Sequence, residues 1–355
     1  MRKDEIVREY IKEKIASGVF KVGSRIPTEE ELIATLQISR TPIRKALKEL
    51  CEDGYIYKIQ GSGSFVRNKA IPEPVNIYAV LHTEDSFLES RIILGMRRAI
   101  DDSSYRNIHL ILQKPGKNTV KQIEVLNMIP CTGKGAVICV PMVDEVRAGN
   151  RLLGANLRKI EKAGFPVLLL DKSLPEYTGS SVMTDHRGGA EAMQSFLWEH
   201  GHRNTAVLYS HQNVSSVGLR LQGIREFYRE REKENGRLLP VNVDQEPVSP
   251  EMIRKLAGSG YTALFCLECE IAKQVYLAAG EADLKIPGDF SLCSFDDHCF
   301  HDLKGDFLTA VSQRLENIGY YSVQVVLDKI EGKTWGNVNI LVESDIVSRK
   351  SVASV

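Results

Sequence analysis

The sequence predicts a multidomain chain: an α+β winged helix-turn-helix head followed by an α/β body of two lobes, each a parallel sheet with helices on both faces. Three observations predict it. Between Arg25 and Val66, two short helices with cap residues and a glycine-tipped hairpin follow one another closely. From Val75 onward, apolar strand-like runs alternate with amphipathic stretches, the pattern of parallel sheets covered on both faces. The length of 355 residues exceeds the size at which one core keeps growing, so several units are expected.

In the head, the start MRKDEIVREY leads into an amphipathic helix rather than the apolar core of a signal peptide. Thr28, with Glu31 three residues on, reads as a capping box, and Leu32, Ile33 and Leu36 give the following short helix its apolar side. After a break at residues 37–40, Thr41 can cap a second helix with Pro42 at its first position, where a missing N–H costs nothing. This helix is expected to run to about Asp53. Its Ile43, Ala46, Leu47 and Leu50 fall on one face, while Arg40, Arg44 and Lys48 recur four apart on another. Such a stripe is either a solvated face or a surface for a polyanion.

Gly54 closes the helix, and YIYKIQ, GSG and SFVR read as two short strands about a tight turn. A second helix seated in a major groove would bring Arg40, Arg44 and Lys45 to phosphates and base edges. The small tip Gly61-Ser62-Gly63 would approach a backbone or minor groove; with no strand before it and helix after it, it does not read as a nucleotide-binding loop.

Gly23, IPTEE from Ile26, SRTPIR from Ser39 and GSGSFV from Gly61 together resemble the DNA-binding domain of the GntR family of bacterial transcription regulators, over residues 4–67. The resemblance implies DNA contacts by Thr28, Ser39, Arg40, Thr41, Arg44 and Gly61 to Gly63. Glu30 stands where that family often carries arginine.

Charge distribution agrees with a nucleic-acid partner, although the total is zero. Residues 1–70 hold 14 Lys/Arg against 10 Asp/Glu, leaving 32 against 36 for the rest. No apolar run reaches membrane-spanning length, and seven cysteines without framework spacing fit a reducing compartment, so a cytoplasmic protein without a membrane partner is expected.

The segment NKAIPEP, residues 68–74, reads as a semi-stiff linker between a head of residues 1–67 and a body of 75–355. Strand-like runs in the body are VNIYAVLH, IHLILQ, GAVICV, PVLLLD, SVMTD, TAVLYS, ALFCLE and SLCSF, separated by amphipathic segments such as ESRIILGMRRAID and AEAMQSFLWEH. The expected division is a first lobe at about 75–180, a second at about 181–305 and a crossing between lobes at about 305–330. Ligands in such sheets gather at the carboxyl ends of the strands.

A second resemblance covers residues 75 to about 350. The stretches PVLLLDKSLP, VMTDHRGGAEAMQSFLWEHGHRNTAVL, VGLRLQGIREF, LKIPGDFSLCSFDD and LTAVSQRLENIGYYSVQVVLDKI resemble, in order, the effector-binding domain of the LacI/GalR family, itself similar to periplasmic sugar-binding proteins. The resemblance implies that Arg220 reaches sugar hydroxyls, with Asp296 and Asp171 taking hydroxyl donors, a division of labour that suits a rigid guanidinium fork and carboxylate acceptors. Glu268-Cys269 replaces the family's Asn-Asp and would select a different hydroxyl pattern. Gln313 matches a glutamine at the lobe crossover that reports closure, and Phe87 is a candidate to stack on a sugar's apolar face. Four of these have a plainer alternative: turn caps for Asp171 and Asp296, a surface helix position for Arg220 and a core position for Phe87.

Cys266 and Cys269 form C-x-x-C, and HCFH spans His298 to His301, but the second pair of a zinc site is missing, so no metal is expected. His200 and His202 belong to a Gly-His step that the family shares as turn structure. With no nucleophile elbow, Walker loop or metalloprotease helix, neither an enzyme nor a cofactor is expected. The two resemblances imply a bacterial transcription regulator, a repressor acting as a homodimer on double-stranded operator DNA under control of a small carbohydrate effector. The alternatives are a carbohydrate-processing enzyme and a sugar sensor acting through a protein partner.

Overall fold

In the computed structural model the described residues are 2–59, 61–67, 74–82, 87–105, 107–143, 147–211, 214–231, 234–296, 298–300 and 305–355, without the side chains of residues 147 and 299. The chain forms two compact units, Met1–Glu73 and Pro74–Val355. Residues 68–73 of the expected linker lie outside the described residues.

The head begins with α1 (Lys3–Ala16), followed by α2 (Glu29–Leu36), α3 (Arg40–Glu52), β1 (Ile56–Ile59) and β2 (Gly63–Val66). Thr28 Oγ1 accepts from the Glu31 backbone N–H and the Glu31 carboxylate accepts from that of Thr28, so the capping box is complete. Helix α3 starts earlier than its sequence suggests: Ser39, not Thr41, holds the N-cap position, and Pro42 falls at the third helical residue. Proline is tolerated there because the first-turn N–H groups have no partner inside the helix. Glu52 is the last helical residue and Gly54 follows at φ +75°, a left-handed turn that glycine adopts freely. Strands β1 and β2 pair antiparallel from Ile56↔Val66 to Ile59↔Gly63. A core of Val7, Ile11, Leu32, Ile43, Ala46, Leu47, Leu50, Ile56 and Val66 joins all five elements.

The body alternates strand and helix: β3 (Val75–Val80), α4 (Phe87–Asp102), β4 (Ile108–Gln113), α5 (Thr119–Met128), β5 (Lys134–Cys139), α6 (Arg147–Lys162), β6 (Val167–Leu170) and β7 (Ser180–Thr184). It continues with α7 (His186–Glu199), β8 (Asn204–Tyr209), α8 (Ser215–Glu230), β9 (Arg237–Asn242), α9 (Pro250–Gly258), β10 (Ala263–Cys266), α10 (Cys269–Glu281), β11 (Ser291–Phe295) and β12 (Thr309–Gln313). The last elements are α11 (Leu315–Ile330), β13 (Asn339–Val342) and β14 (Ser344–Val347).

Two six-stranded sheets result, in the orders β13-β7-β6-β5-β3-β4 and β14-β12-β11-β10-β8-β9. Every pairing in the first is parallel, and in the second only β14 runs antiparallel. Each sheet is buried on both faces. One first-lobe core packs Ile77, Ile138 and Leu168 with Ile92 and Met96 of α4 and Ile318 and Val326 of α11, and the other packs Val80, Val137 and Leu169 with Leu126 of α5 and Leu157 of α6. Helices α4 and α11 meet backbone to backbone: a Cβ on Gly95 would lie 1.9 Å from the Glu316 carbonyl oxygen, and one on Gly319 2.0 Å from that of Ile92.

The lobe boundaries differ from the expectation. Ser180–Thr184, read as opening the second lobe, pairs with β6 and β13 in the first sheet, so the passage falls at Asp185. The chain returns after Gln313, because α11 packs on the first sheet, and passes over again between β13 and β14. Strands β9, β12, β13 and β14 are absent from the reading of the sequence; β9, β13 and β14 are edge strands of mixed polarity, β9 carrying Pro240, and β12 lies inside its sheet between β14 and β11.

Candidate functional site

In the head, α3 buries Ile43, Ala46, Leu47 and Leu50 and leaves Arg40, Thr41, Arg44, Lys45 and Lys48 exposed. Ser39 is exposed at its N-cap and Thr28 is half-buried at that of α2, its hydroxyl engaged in the capping box. Gly61 and Ser62 form the exposed turn, with Gly61 at φ +78°. Gly63 starts β2 at φ +112°, a backbone conformation that favours glycine, and a Cβ there would come within 2.8 Å of Arg25 Nε, which would have to shift aside. That contact also sets Arg25, passed over in the sequence, beside the wing.

The cations of α3 are compensated within the head. Arg44 Nε donates to Glu29 Oε2 at 2.8 Å, Arg40 Nη2 to Glu30 Oε1 at 3.4 Å, and Lys45 Nζ lies 2.7 Å from Asp4 Oδ2. The cationic side of each pair is exposed, and exposed ion pairs contribute only about 0–1 kcal/mol each; Asp4, the partner of Lys45, is itself buried.

In the body, a cavity of about 360 Å³ opens between the two sheets, lined by residues at the carboxyl ends of their strands. Phe87, Asp171, Arg220, Glu268, Asp296 and Gln313 all line it, so the six residues singled out in the sequence converge on one space. Arg220 is only 6 % exposed. Its guanidinium lies 3.6 Å over the Phe295 ring, donates through Nη1 to the Leu267 carbonyl and approaches His186 Nδ1 at 3.3–3.4 Å. Burial lowers its pKa, opposed by Asp296, Asp171 and Glu268. Burial likewise raises the pKa of Asp296, opposed by Arg220 and by the Gln313 amide.

Gln313 joins the lobes. Its Nε2 donates to both Asp296 oxygens at 2.9 Å, and its Oε1 accepts from Thr184 Oγ1 at 2.6 Å, so a second-lobe carboxylate is braced against the end of β7 in the first. Glu268, ahead of α10, accepts from Ser210 Oγ. Asp171, Asp296 and His211 follow the carboxyl ends of β6, β11 and β8 with φ of +63°, +65° and +48°, a left-handed conformation that non-glycine residues seldom adopt. Phe87 is not a core residue. It is 47 % exposed at the start of α4 and stacks on His298 of the second lobe, ring centroids 5.7 Å apart and planes within 10°.

The sequence reading missed His82, Lys117, Lys172 and His211, which line the cavity, and Thr184 and His186, which brace it; His298, weighed there only as part of HCFH, lines it too. His82 follows β3, Lys172 follows β6 and His211 follows β8; position just past a parallel strand was the available signal. Cys266 and Cys269 are buried in β10 and at the start of α10, and His301 lies outside the described residues.

Residues 3–66 match the family of bacterial regulatory proteins called gntR, and residues 195–352 match the periplasmic binding protein-like domain. The chain joins a gntR-type head to a periplasmic-binding-protein-like body. One relative aligns over nearly its full length: the arabinose metabolism transcriptional repressor of Geobacillus stearothermophilus is 24 % identical over 360 residues, covering 98 % of this chain and 97 % of its own. Two solved structures share the body's fold. A CelR transcriptional regulator in complex with cellobiose superposes with a TM-score of 0.61 at 18 % identity, covering 92 % of this chain and 100 % of its own. A LacI family transcriptional regulator from Enterococcus faecium with bound ribose gives 0.59 at 20 %, covering 79 % and 99 %.

Proposed function

We propose that this protein is a cytoplasmic transcription regulator, a repressor that binds operator DNA as a homodimer and whose affinity for DNA is set by a small carbohydrate held between the lobes of its body. The observation that carries the reading is the conjunction, in one chain, of a gntR-type head and a cavity where Arg220, Asp171, Asp296 and Glu268 meet at the strand ends. Arginine offers paired donors and the carboxylates acceptors, which together complement a polyol. The brace from Asp296 through Gln313 to Thr184 supports coupling, because a ligand on Asp296 acts on a residue that spans the lobe crossing.

Arg40, Arg44 and Lys45 are the proposed phosphate and base contacts, exchanging Glu30, Glu29 and Asp4 for DNA, with Ser39, Thr41, Thr28 and the Gly61-Ser62-Gly63 tip against the backbone. One head offers few contacts, and pairing two supplies specificity on a near-palindromic site. In this reading the cavity has no catalytic duty.

The test is the double substitution Arg40→Ala with Arg44→Ala, assayed on operator duplexes selected from a random library. Loss of two phosphate contacts lowers the slope of log affinity against log salt by about 2, while sugar binding is retained. Unchanged operator affinity would rule out the head assignment. Turnover of a bound sugar would favour the enzyme alternative instead.

A further inference from the structure

The acidic and basic groups around the cavity are not evenly distributed. Most of the carboxylates are engaged: Glu89 accepts from the His82 backbone N–H at 3.0 Å, Glu268 from Ser210, Asp296 from Gln313, and Glu270 lies 3.5 Å from His298. Asp171 acts on the buried Arg220. The cations Lys117, just ahead of α5, and Lys172, just after Asp171, also line the cavity. Among the described residues, neither lysine forms an ion pair.

The loop bearing Lys172 touches the first turn of α8, since the Ser173 backbone N–H donates to Ser215 Oγ at 3.3 Å. Helix α8 has 16 residues, and Val214 at its N-cap has no side-chain oxygen to cover the first-turn N–H groups. Val214, Ser216 and Val217 line the cavity, so the positive end of a four-turn helix borders it beside Lys172. An independent sign comes from His82 on the same wall. It is 8 % exposed, and its Nε2 has no hydrogen-bond partner among the described residues. Burial first, then the fields of Lys172 and Lys117, hold its pKa down at about 4, and all three residues line the same cavity.

We propose that this corner, built from Lys117, Lys172, His82 and the first turn of α8, binds an anionic group, so that the effector is an acidic sugar rather than a neutral one. The inference rests on the carbohydrate reading above and specifies its substrate class. Two ammonium groups, an uncapped helix start and the Ser216 hydroxyl can each donate to a carboxylate or phosphate oxygen, while Arg220 and the carboxylates take the hydroxyls at the other end. Sugar carboxylates and sugar phosphate esters share this chemistry.

The test is calorimetry and thermal shift on the full chain, with matched sets of pentoses and hexoses: the neutral sugar, its aldonate, its uronate and its phosphate ester. The expected result is that the best anionic member binds about tenfold or more tightly than its neutral parent. That preference should fall to about one in the variant Lys117→Gln with Lys172→Gln, whose unliganded thermal unfolding reports that it folds. A response to the aldonate or uronate alone identifies a carboxylate, and a response to the ester alone a phosphate. A neutral sugar that binds as tightly as all its anionic relatives would overturn the proposal and leave the carbohydrate reading standing. Survival of the preference in the double variant would overturn the assigned corner, and a panel with no binder would overturn both readings.

Discussion

Replacing His82 with glutamine should flatten the dependence of stability on pH below neutrality. His82 has an ordinary value of 6.5 and is held at about 4 in the folded body, chiefly by burial. The neutral ring is therefore favoured on folding. Its contribution is complete above pH 6.5 and is lost as pH falls through 4. The displacement of about 2.5 units, at about 1.4 kcal/mol per unit, makes the whole contribution about 3 kcal/mol, of which about 2 kcal/mol disappears between pH 7.5 and pH 5. Urea unfolding followed by tryptophan fluorescence reads this from the body alone, because the two tryptophans are Trp198 and Trp335. His186 and His202 are also lowered by burial and steepen the curve in both proteins, so the difference between wild type and His82→Gln isolates the one residue. A uniform loss of stability in the variant leaves the comparison intact. Parallel pH curves for the two proteins would refute the reasoning.

Three other substitutions test separate parts of the structure. Gly319→Ala sets a methyl 2.0 Å from the Ile92 carbonyl oxygen in the crossing of α4 and α11, and should cost about 3 kcal/mol or more of body stability in the same urea assay. Gln313→Leu leaves buried Asp296 without its amide donor and cuts the brace to Thr184; effector affinity by calorimetry should fall about tenfold or more, and an unchanged constant would remove Gln313 from the site. Thr28→Ala opens the capping box of α2 and should lower head stability by about 1 kcal/mol, visible as faster hydrogen exchange in residues 29–36.

The parts of this protein legible in its sequence are those governed by local chemistry. The capping box at Thr28 and Glu31, the apolar face of α3 and the glycines of the wing each follow from residues a few positions apart. The eight apolar runs of the body all became strands because parallel strands buried on both faces need no polar alternation. Strands β9, β13 and β14 were not legible, since an edge strand pairs on one side only and carries a mixed pattern, and β12, TAVSQ, was not read as a strand because its apolar run is short and ends in Ser312 and Gln313; β14 is fixed by its antiparallel register with β12 rather than by its own residues. The N-cap of α3 at Ser39 was not legible because proline is accepted anywhere in a first turn.

In the cavity, Arg220, Asp171 and Asp296 could be named because each stands at a matching position in a stretch that resembles the LacI/GalR family. His82, Lys117 and Lys172 could not: they come from loops after three different strands, and only the order of those strands in the sheet brings them to one wall. The ion pairs of Arg40, Arg44 and Lys45 with Glu30, Glu29 and Asp4 were equally hidden, since they join separate helices.

The most direct test of the central claim is to measure effector affinity by calorimetry with the protein free and with it saturated by its selected operator duplex. Coupling through the lobes predicts two dissociation constants that differ by about 5- to 150-fold, with the reciprocal change in operator affinity when the effector is saturating. Equal constants in the two states would contradict it.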